Sequence, residues 1–380
     1  MTGTPAVREL GPADLETWDA AAVDVPGGHV LQSRAWADHR AAGGWRPRHL
    51  AVGDARALVL QRGWPLLPGG SAYIPRGPVG PGTPWVAGDG AGASIGAALA
   101  GVAGWLARDG IDVLAADAEV LADDAAYLAA LEEAGFRAIP EIQPSRHRMT
   151  LALGPGTDAE AMMDGVAKAT RQRIRRAERD GAMVLRWDTA TGEHDGFVRA
   201  AGDPTPALER FHAMLRATGD RRGFTFPGSS EWVTWWRRAL EAGHLVYLEV
   251  HEGAADGEVL GGLVLYRHGR RLSTAHSADH AERRRDHPGT MHLLRWRAIQ
   301  LALAEGRAEM DLGGVDVRGA RRPPEPGEPT FGLYEHKRSF GAEWVELAGA
   351  RECVARPRRY AAGRLTSRLA RVLGQGRSGR

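Results

Sequence analysis

Basic side chains crowd into one stretch of this 380-residue chain, "KATRQRIRRAERDGAMV" at residues 168–184. A helix advances 100° per residue, so the stretch predicts a cationic stripe opposite an apolar side. The stripe comprises Lys168, Arg171, Arg175 and Arg179. These like charges repel one another, and a phosphate-bearing partner would turn the repulsion into attraction. No aromatic residue is interleaved for base stacking, so the stripe suits an RNA backbone or a pyrophosphate; a solvated face is the alternative.

Histidine and cysteine residues give little support for metal or covalent chemistry. Four histidines, His276, His280, His287 and His292, occur close together, but their spacing matches no known metal-ligand pattern. The single cysteine, Cys353, is incompatible with an intrachain disulfide framework and with a cysteine-based zinc site, and it lies outside every motif. We therefore expect neither a bound metal nor a covalent nucleophile.

The order of predicted strands and helices, which must position these residues, indicates a mixed α/β fold. The composition is globular, with 43% hydrophobic and 25% charged residues and a formal net charge of +2. Strand patterns such as "SAYIPRG" and "HLVYLEV" alternate with helical ones. The predicted domains are residues 1–153 and 154–350, followed by a basic tail at 351–380. One helix is predicted to begin after Asp158 as its N-cap and to run through the basic stretch to Gly181.

Two segments repeat the same order of helix, glycine, strand and aspartate. They read "WLARDGIDVLAAD" and "AIQLALAEGRAEMDLGG". Each is followed by a helix and a Gly-Phe or Phe-Gly turn. This echo favours two similar half-molecules.

The sequence gives little indication of secretion or membrane insertion. No basic segment precedes an apolar core at the N-terminus, so no secretory signal is predicted. The longest uncharged run, "AGASIGAALAGVAGWLA", has its large residues on one helical face and predicts a packing helix rather than a membrane span. We expect a cytoplasmic protein. The tail has no acid after Glu352, so it predicts either contact with anionic lipid at the inner membrane face or a frayed terminus.

Six motifs occur in a fixed order along the chain. They are "HVLQSRAWADHRAAGGW", "SAYIPRGP", "KATRQRIRRAERDG", "TGDRRGFTF", "SADHAERRRDHPGTMHLLRWRAIQLALAEGRAEMDLGGV" and "GLYEHKRSFGAEWVELAG". In this order the chain resembles the Fem family of peptidoglycan interpeptide-bridge aminoacyltransferases. The resemblance implies two tandem GNAT-like (acyl-CoA N-acyltransferase-like) domains. The short interval between Asp188 and Pro206 leaves no room for the helical arm of some relatives, so the armless subtype is expected.

The resemblance also implies an activity. Family members transfer an amino acid from aminoacyl-tRNA to the stem peptide of a peptidoglycan precursor, either lipid II or UDP-MurNAc-pentapeptide. Aminolysis of an ester requires positioned substrates, exclusion of water and stabilised charge, but no cofactor. The segment "ERRRDHPGTMH" lacks the glycine-rich loop with which acetyltransferases of this fold bind coenzyme A. Glycine is the first expected donor, because the Ala-, Arg- and Gly-rich composition suggests a high-GC actinobacterium, where single-glycine bridges are common.

By resemblance, five residues bind the precursor. Arg40 and Arg284 match the two family cations that hold its diphosphate. Many relatives have lysine where this chain has Arg40, a change that keeps the charge but alters hydrogen-bond geometry. Tyr73 and Arg76 lie in the loop that borders the precursor site. Trp36 is either a stacking platform for a base or sugar or, the favoured alternative, a core residue.

Two residues are expected to act in catalysis. Lys337 matches the lysine of the family's "F-K-x-x-F-G" turn, although His336 replaces the usual aromatic. Its ammonium would stabilise the oxyanion or the departing ribose oxygen. Asp117 resembles an aspartate that follows a first-domain strand, although Ala118 replaces the usual proline. This carboxylate would help to deprotonate the attacking amine, with a structural role as the alternative.

Two other functions stay open. One keeps the chemistry and changes the acceptor, as in a tRNA-dependent peptide-bond-forming enzyme of secondary metabolism or resistance. The other is a non-catalytic module that binds RNA or membrane. No oligomeric state is predicted.

Overall fold

The computed structural model describes residues 5–80, 91–143, 146–190, 192–222, 229–315, 317 and 321–375. The chain divides into two compact units. One comprises Met1–Arg146 with Glu346–Arg380, and the other comprises His147–Val345.

The first unit is a mixed sheet with helices. Its strands are β1 (Val7–Glu9), β2 (Arg46–Val52), β3 (Ala55–Gly63), β4 (Gly70–Ile74), β5 (Val113–Ala116), β6 (Phe136–Ala138) and β15 (Arg351–Val354). Its α-helices are α1 (Trp18–Ala22), α2 (Arg34–Ala42), α3 (Ala91–Arg108), α4 (Ala125–Glu133) and α11 (Pro357–Gln375). The strand order is β1-β2-β3-β4-β5-β15-β6, in which β4 and β5 are parallel. The helix α3 connects these two strands and buries its large apolar residues in the core, as its sequence pattern predicts.

The second unit repeats this plan. Its strands are β7 (His147–Ala152), β8 (Met183–Trp187), β9 (Val198–Arg199), β10 (Leu245–His251), β11 (Val259–His268), β12 (Arg271–Asp279), β13 (Glu309–Asp311) and β14 (Glu343–Glu346). Its α-helices are α5 (Ala159–Gly165), α6 (Lys168–Arg179), α7 (Thr205–Arg222), α8 (Ser229–Glu241), α9 (Thr290–Ala304) and α10 (Phe331–Arg338). The strand order is β14-β7-β13-β12-β11-β10-β8-β9.

The repeated sequence pattern corresponds to a repeated supersecondary unit. In the first unit, β4, α3 and β5 form a crossover between parallel strands, and in the second unit β12, α9 and β13 do the same. Parallel neighbours need such a crossover. The predicted class, mixed α/β with two similar halves, is therefore confirmed.

The domain limits differ from the predicted ones at both ends. Strand β7 pairs with β13 in the second sheet, so the division falls before His147 rather than after residue 153. Strand β15 pairs with β5 and β6 in the first sheet, so residues 351–375 are not a separate tail. The sequence does not indicate these limits because both strands find their partners far away in the chain.

The prediction of a single helix from Asp158 to Gly181 is wrong, because the chain leaves the helical conformation in the middle of this range. Asp158 does cap a helix, since its carboxylate accepts the Ala161 N–H at 2.8 Å. However, α5 ends at Gly165, and Val166 and Ala167 are extended, with ψ of 134° and 140°. A new helix, α6, then carries the basic stretch.

Two expectations concern long helices. In the described residues between Asp188 and Pro206 the structure has the short strand β9 and no long helix, as expected for the armless subtype. No helix in the described part of the chain is long and apolar enough to cross a membrane.

Candidate functional site

A cavity of about 670 Å³ lies within the second unit. Its walls are α6, the end of β12, the segment that joins β12 to α9, the first turns of α9, and α10. The charged and titratable residues that line it are Arg173, Asp279, His280, Arg283, Arg284, His287, His292, Arg295, Glu335 and His336.

The strand pairing changes beside this cavity. Parallel pairing between β12 and β13 ends at Ser273 and Asp311. Beyond this point the β12 register slips against β11, with Thr274 and His276 opposite consecutive residues, so that Ala275 is the extra residue of a bulge. Bulges bend a strand and often lie next to active sites. The side chains of Arg295 on α9 and Lys337 on α10 reach this region, at Thr274 beside the bulge and at Gly313 after β13.

Lys337 lies beside the end of β13. Its Nζ donates to the carbonyl oxygens of Gly313 at 2.8 Å and Gly314 at 3.1 Å, in the segment that leaves β13. A Cβ added to Gly313 would lie 3.4 Å from the same Nζ and 3.2 Å from the Thr274 carbonyl oxygen. The lysine is only 4% exposed. It is therefore a fixed internal cation beside the end of β13, and its catalytic role stays a prediction.

A second internal cation, Arg295, projects from α9 and is 3% exposed. Its Nε donates to His336 Nε2 at 3.2 Å, and its Nη1 donates to Thr274 Oγ1 at 3.3 Å. No carboxylate pairs with it among the residues that the structure describes, and burial lowers its pKa to about 10. A buried arginine without an acidic partner is costly for a fold, so Arg295 is a candidate contact for an anionic ligand.

Two histidines connect Arg295 to α6. His336 Nδ1 lies 3.2 Å from His292 Nε2, and His292 Nε2 lies 3.3 Å from Arg173 Nη1. Burial, followed by the charge of Arg173, lowers the pKa of His292 to about 4, and burial followed by the charge of Arg295 lowers the pKa of His336 to about 2. Both rings are therefore neutral at physiological pH, and they supply no negative charge to Arg295.

Arg284 lies at the edge of the same cavity and is held by an acid. Its Nε and Nη2 each lie 2.6 Å from an oxygen of Asp279, which forms a bidentate pair. The side chain is half exposed. A diphosphate at Arg284 must therefore share this guanidinium with Asp279, and the predicted diphosphate role is an open proposal.

The segment that joins β12 to α9 has no glycine-rich phosphate loop. Pro288 lacks an N–H, and the next residue, Gly289, has φ of 118°. A Cβ at Gly289 would lie 2.3 Å from the Arg173 carbonyl oxygen, so α9 begins directly against α6. A helix–helix contact therefore lies at the start of α9.

The cationic stripe of α6 is present in part. Lys168, Arg175 and Arg179 are exposed, and Ile174 on the opposite side is buried. These three side chains therefore remain the predicted contacts to an RNA backbone.

Arg171, the fourth member of the predicted stripe, is engaged within the fold. Its Nη1 donates to the carbonyl oxygens of three residues at the end of α5, namely Met163, Asp164 and Val166, at 3.0 to 3.3 Å. This arginine caps α5, which supplies the physical reason to remove it from the predicted RNA-binding set.

The predicted residues of the first unit form a separate cluster. Asp117 is 1% exposed; its Oδ2 accepts the Tyr73 hydroxyl at 2.9 Å and its Oδ1 accepts the Arg76 N–H at 2.7 Å. Gln143 donates to the same hydroxyl at 2.9 Å. Burial raises the pKa of Asp117 to about 6, against the opposing charge of Arg76. The carboxylate fastens the loop after β4, which is the structural alternative for this residue.

Arg40 and Trp36 lie together on α2. The Arg40 guanidinium lies over the rings of Trp36 and Trp45, at 5.3 and 5.2 Å from their centroids. Trp36 is 8% exposed, so in this structure its ring supports Arg40 from inside the unit and is not a free stacking platform.

Sequence reasoning missed Arg173 and Arg295 and gave no role to His292. Arg295 occupies a buried position of a helix that is otherwise apolar on that side, and such an arginine is a signal that can be read from sequence. The motif marks His336 only as a departure from the family pattern. Among the described residues, no group of three or more His, Cys, Asp or Glu side chains could hold a metal ion.

Comparisons with known proteins support the fold. Residues 165–338 match the family model of the acetyltransferase (GNAT) domain. No curated protein sequence matches the chain. The crystal structure of FemX has 18% sequence identity to this chain and a TM-score of 0.74, and the match covers 94% of this chain and 99% of FemX.

Two other solved structures are more distant. L-PGS from Bacillus licheniformis is 11% identical, with a TM-score of 0.51 over 96% of this chain and 97% of its own. A conserved protein of unknown function from Bacteroides thetaiotaomicron is 12% identical, with a TM-score of 0.53 over 92% of this chain and 99% of its own. Part of the chain therefore resembles an acetyltransferase (GNAT) domain, and its fold resembles that of FemX, in agreement with the predicted class of tandem GNAT-like domains.

Proposed function

We propose that this protein transfers an amino acid from aminoacyl-tRNA to an amino group. The acceptor in this proposal is the stem peptide of a peptidoglycan precursor, lipid II or UDP-MurNAc-pentapeptide, and the first donor to test is glycine. The reaction takes place in the cytoplasm, at or near the inner membrane face.

The observation that carries this proposal is the buried positive charge beside the β12 bulge and the end of β13. Arg295 has no acid among the described residues, its neighbouring histidine is neutral, and Lys337 is fixed on backbone carbonyls nearby. A neutral acyl group alone would not compensate the charge of Arg295. A donor with phosphodiester groups and an ester that develops an oxyanion would do so.

The chemistry requires few groups from the protein. The amine nitrogen attacks the ester carbonyl carbon, a C–N bond forms, and the bond to the ribose oxygen breaks. The proton lost by nitrogen ends on that oxygen. Lys337 would stabilise the oxyanion or the departing oxygen, and the cavity would hold the acyl end of the donor in place.

The loop before α9 favours this donor over coenzyme A. Acetyltransferases of this fold hold a pyrophosphate on backbone amides at the start of the corresponding helix. Here Pro288 removes one amide, and Gly289 packs against the Arg173 carbonyl. The cations that remain are side chains, which suit a flexible polyphosphate strand better than one fixed pyrophosphate.

The acceptor would be bound by the predicted cations. Arg40, supported by two tryptophans, and Arg284, paired with Asp279, are the proposed contacts to its diphosphate. Asp117 is the proposed base, although its hydrogen bonds serve the loop that carries Tyr73 and Arg76. The proposed contacts to the tRNA backbone are Lys168, Arg175 and Arg179.

One experiment tests the proposal. The purified protein is incubated with pools of charged tRNA and, in separate reactions, lipid II, UDP-MurNAc-pentapeptide or a panel of free amines, and the products are followed by mass. Transfer to a precursor supports the wall-bridge function. Transfer to a free amine alone supports an enzyme of secondary metabolism, and binding of tRNA without transfer to any acceptor supports a non-catalytic module.

A further inference from the structure

Exposed apolar side chains concentrate on two segments of the first unit. Leu66 and Leu67 lie in the loop 64–69 between β3 and β4 and are 99% and 36% exposed. Leu365 and Leu369 lie on α11 and are 59% and 54% exposed. These are four of the six exposed large hydrophobic residues in the described part of the chain. Such clustering on a folded surface marks an interaction site.

The two segments pack on one another. A Cβ added at Gly363 of α11 would lie 2.3 Å from the Trp64 ring, so the helix rests directly on the indole. The Tyr360 ring lies 6.2 Å from the same indole. The buried carboxylate of Asp112 joins both segments, since it accepts Trp64 Nε1 at 2.7 Å and lies 3.2 Å from Arg359 Nε. The loop and the helix therefore form one fixed surface.

The outer face of α11 combines leucine with arginine. At 100° per residue, Arg358 falls between Leu365 and Leu369, and Arg364 and Arg368 lie to one side of them. All three arginines are exposed. The helix contains no acidic residue. An apolar face bordered by positive charge is typical of a helix that lies in the interface of an anionic bilayer.

We propose that the loop 64–69 and the outer face of α11 bind a bilayer that contains anionic lipid. The leucines enter the region between headgroups and acyl chains, and the arginines contact lipid phosphates. Stable attachment needs two such contributions, and this surface has both. The proposal does not depend on the reaction catalysed, although it would bring the chain to a lipid-linked acceptor.

Vesicle co-sedimentation of the full chain tests the proposal. Vesicles of phosphatidylcholine with phosphatidylglycerol should retain on the order of tenfold more protein than vesicles of phosphatidylcholine alone at low salt. High salt should weaken this binding. The double variant Leu365→Gln/Leu369→Gln should bind far less protein to either vesicle, whereas Arg364→Gln/Arg368→Gln should abolish only the part that depends on phosphatidylglycerol.

The control is a double variant at the other two exposed apolar positions, Ile142→Gln/Val198→Gln, which should bind like the parent chain. Circular dichroism melts establish that each variant is folded. The proposal is wrong if no vesicle retains the protein or if the leucine variant binds like the control. It is also wrong if the leucines instead hold a dimer, which size-exclusion chromatography of the parent and the leucine variant would show.

Discussion

The two units share a supersecondary plan, but they differ in whether a buried charge has a partner of opposite charge. In the first unit, Asp117 has the Tyr73 hydroxyl, the Arg76 N–H and the Arg76 charge around it. In the second unit, Arg295 is similarly buried, and the hydrogen bonds described for it go to a neutral histidine and a threonine. A cluster that satisfies its own charges is complete without a ligand. A cluster that leaves a cation uncompensated is the better candidate for binding an anionic ligand.

This difference should appear in the free energy of unfolding of variants. Removal of one partner from a compensated pair leaves a buried charge behind and destabilises a protein strongly. Removal of a charge that has no partner relieves a desolvation cost that the folded chain already carries. Variants of the first cluster should therefore affect stability, and variants of the second should affect function.

Arg76→Met should have the largest effect on stability. It leaves the buried Asp117 carboxylate without its cation, so the free energy of unfolding should fall by about 3 kcal/mol. Urea denaturation monitored by circular dichroism measures this decrease. The matched control is Arg8→Met, whose ion-pair partner Asp14 is itself exposed, and it should change the free energy by less than about 1 kcal/mol. Equal effects of the two changes would remove the distinction between the clusters.

Lys337→Ala should have the largest effect on catalysis. Removal of a cation at the developing oxyanion typically costs about 100-fold or more in rate. Single-turnover transfer from charged tRNA measures the rate, and filter binding should show that tRNA affinity is retained. The neighbouring exposed Arg338→Ala serves as the control. If both variants keep the parent rate, Lys337 is only a structural residue.

Arg295→Met sharpens the comparison most directly. The free energy of unfolding should stay level or rise by about 1 kcal/mol, because an uncompensated buried charge is removed. Transfer should nevertheless fall by about tenfold, because the cavity no longer binds the anionic donor at this position. Urea denaturation and transfer assays on the same preparation measure both quantities. A large decrease in stability would show that this arginine is compensated within the fold after all.

The cationic stripe on α6 should affect the salt dependence of tRNA binding. Replacement of Lys168, Arg175 and Arg179 by glutamine should reduce the slope of log affinity for tRNA against log salt by about one for each phosphate that is no longer neutralised. The control is Arg171→Gln, which should lower the melting temperature and leave this slope unchanged, because Arg171 caps α5. The opposite pattern would return Arg171 to the RNA-binding set.

Asp117 should give the smallest and most specific effect, a pH dependence of stability. Its pKa of about 6 in the folded chain lies above the ordinary 3.8, so the folded state binds the proton first as pH falls. Its contribution to stability therefore grows as pH falls through 6, by about 1 kcal/mol between pH 7 and pH 5, and disappears as pH rises again. The difference in urea stability between the parent and Asp117→Asn should follow this course.

Local features of the fold are predictable from the sequence and long-range ones are not. Strands β3, β5 and β11 and helix α9 follow from runs and periods within the sequence. The break between α5 and α6 does not, because the extended Val166 and Ala167 are stabilised by Arg171, whose side chain reaches back to α5 carbonyls. Helical periodicity alone predicts one continuous helix there.

The same holds for the candidate site. The motifs identify Lys337 and Asp117, but sequence does not show that Lys337 is bound to two carbonyls or that Asp117 holds a loop. The interpretation of Arg295 as a ligand contact depends on the absence of an acidic side chain near it in the described part of the chain. Only the three-dimensional arrangement of α9, α10 and β12 reveals that absence.

The place of β15 has a consequence for synthesis of the chain. This strand, Arg351–Val354, lies between β5 and β6 in the sheet of the first unit. A ribosome therefore completes the whole second unit before it delivers the strand that closes the first. During this interval β5 and β6 have open edges, which are templates for wrong pairing. The second unit can fold as soon as it leaves the ribosome. The first unit must wait for β15, which is translated after the second unit.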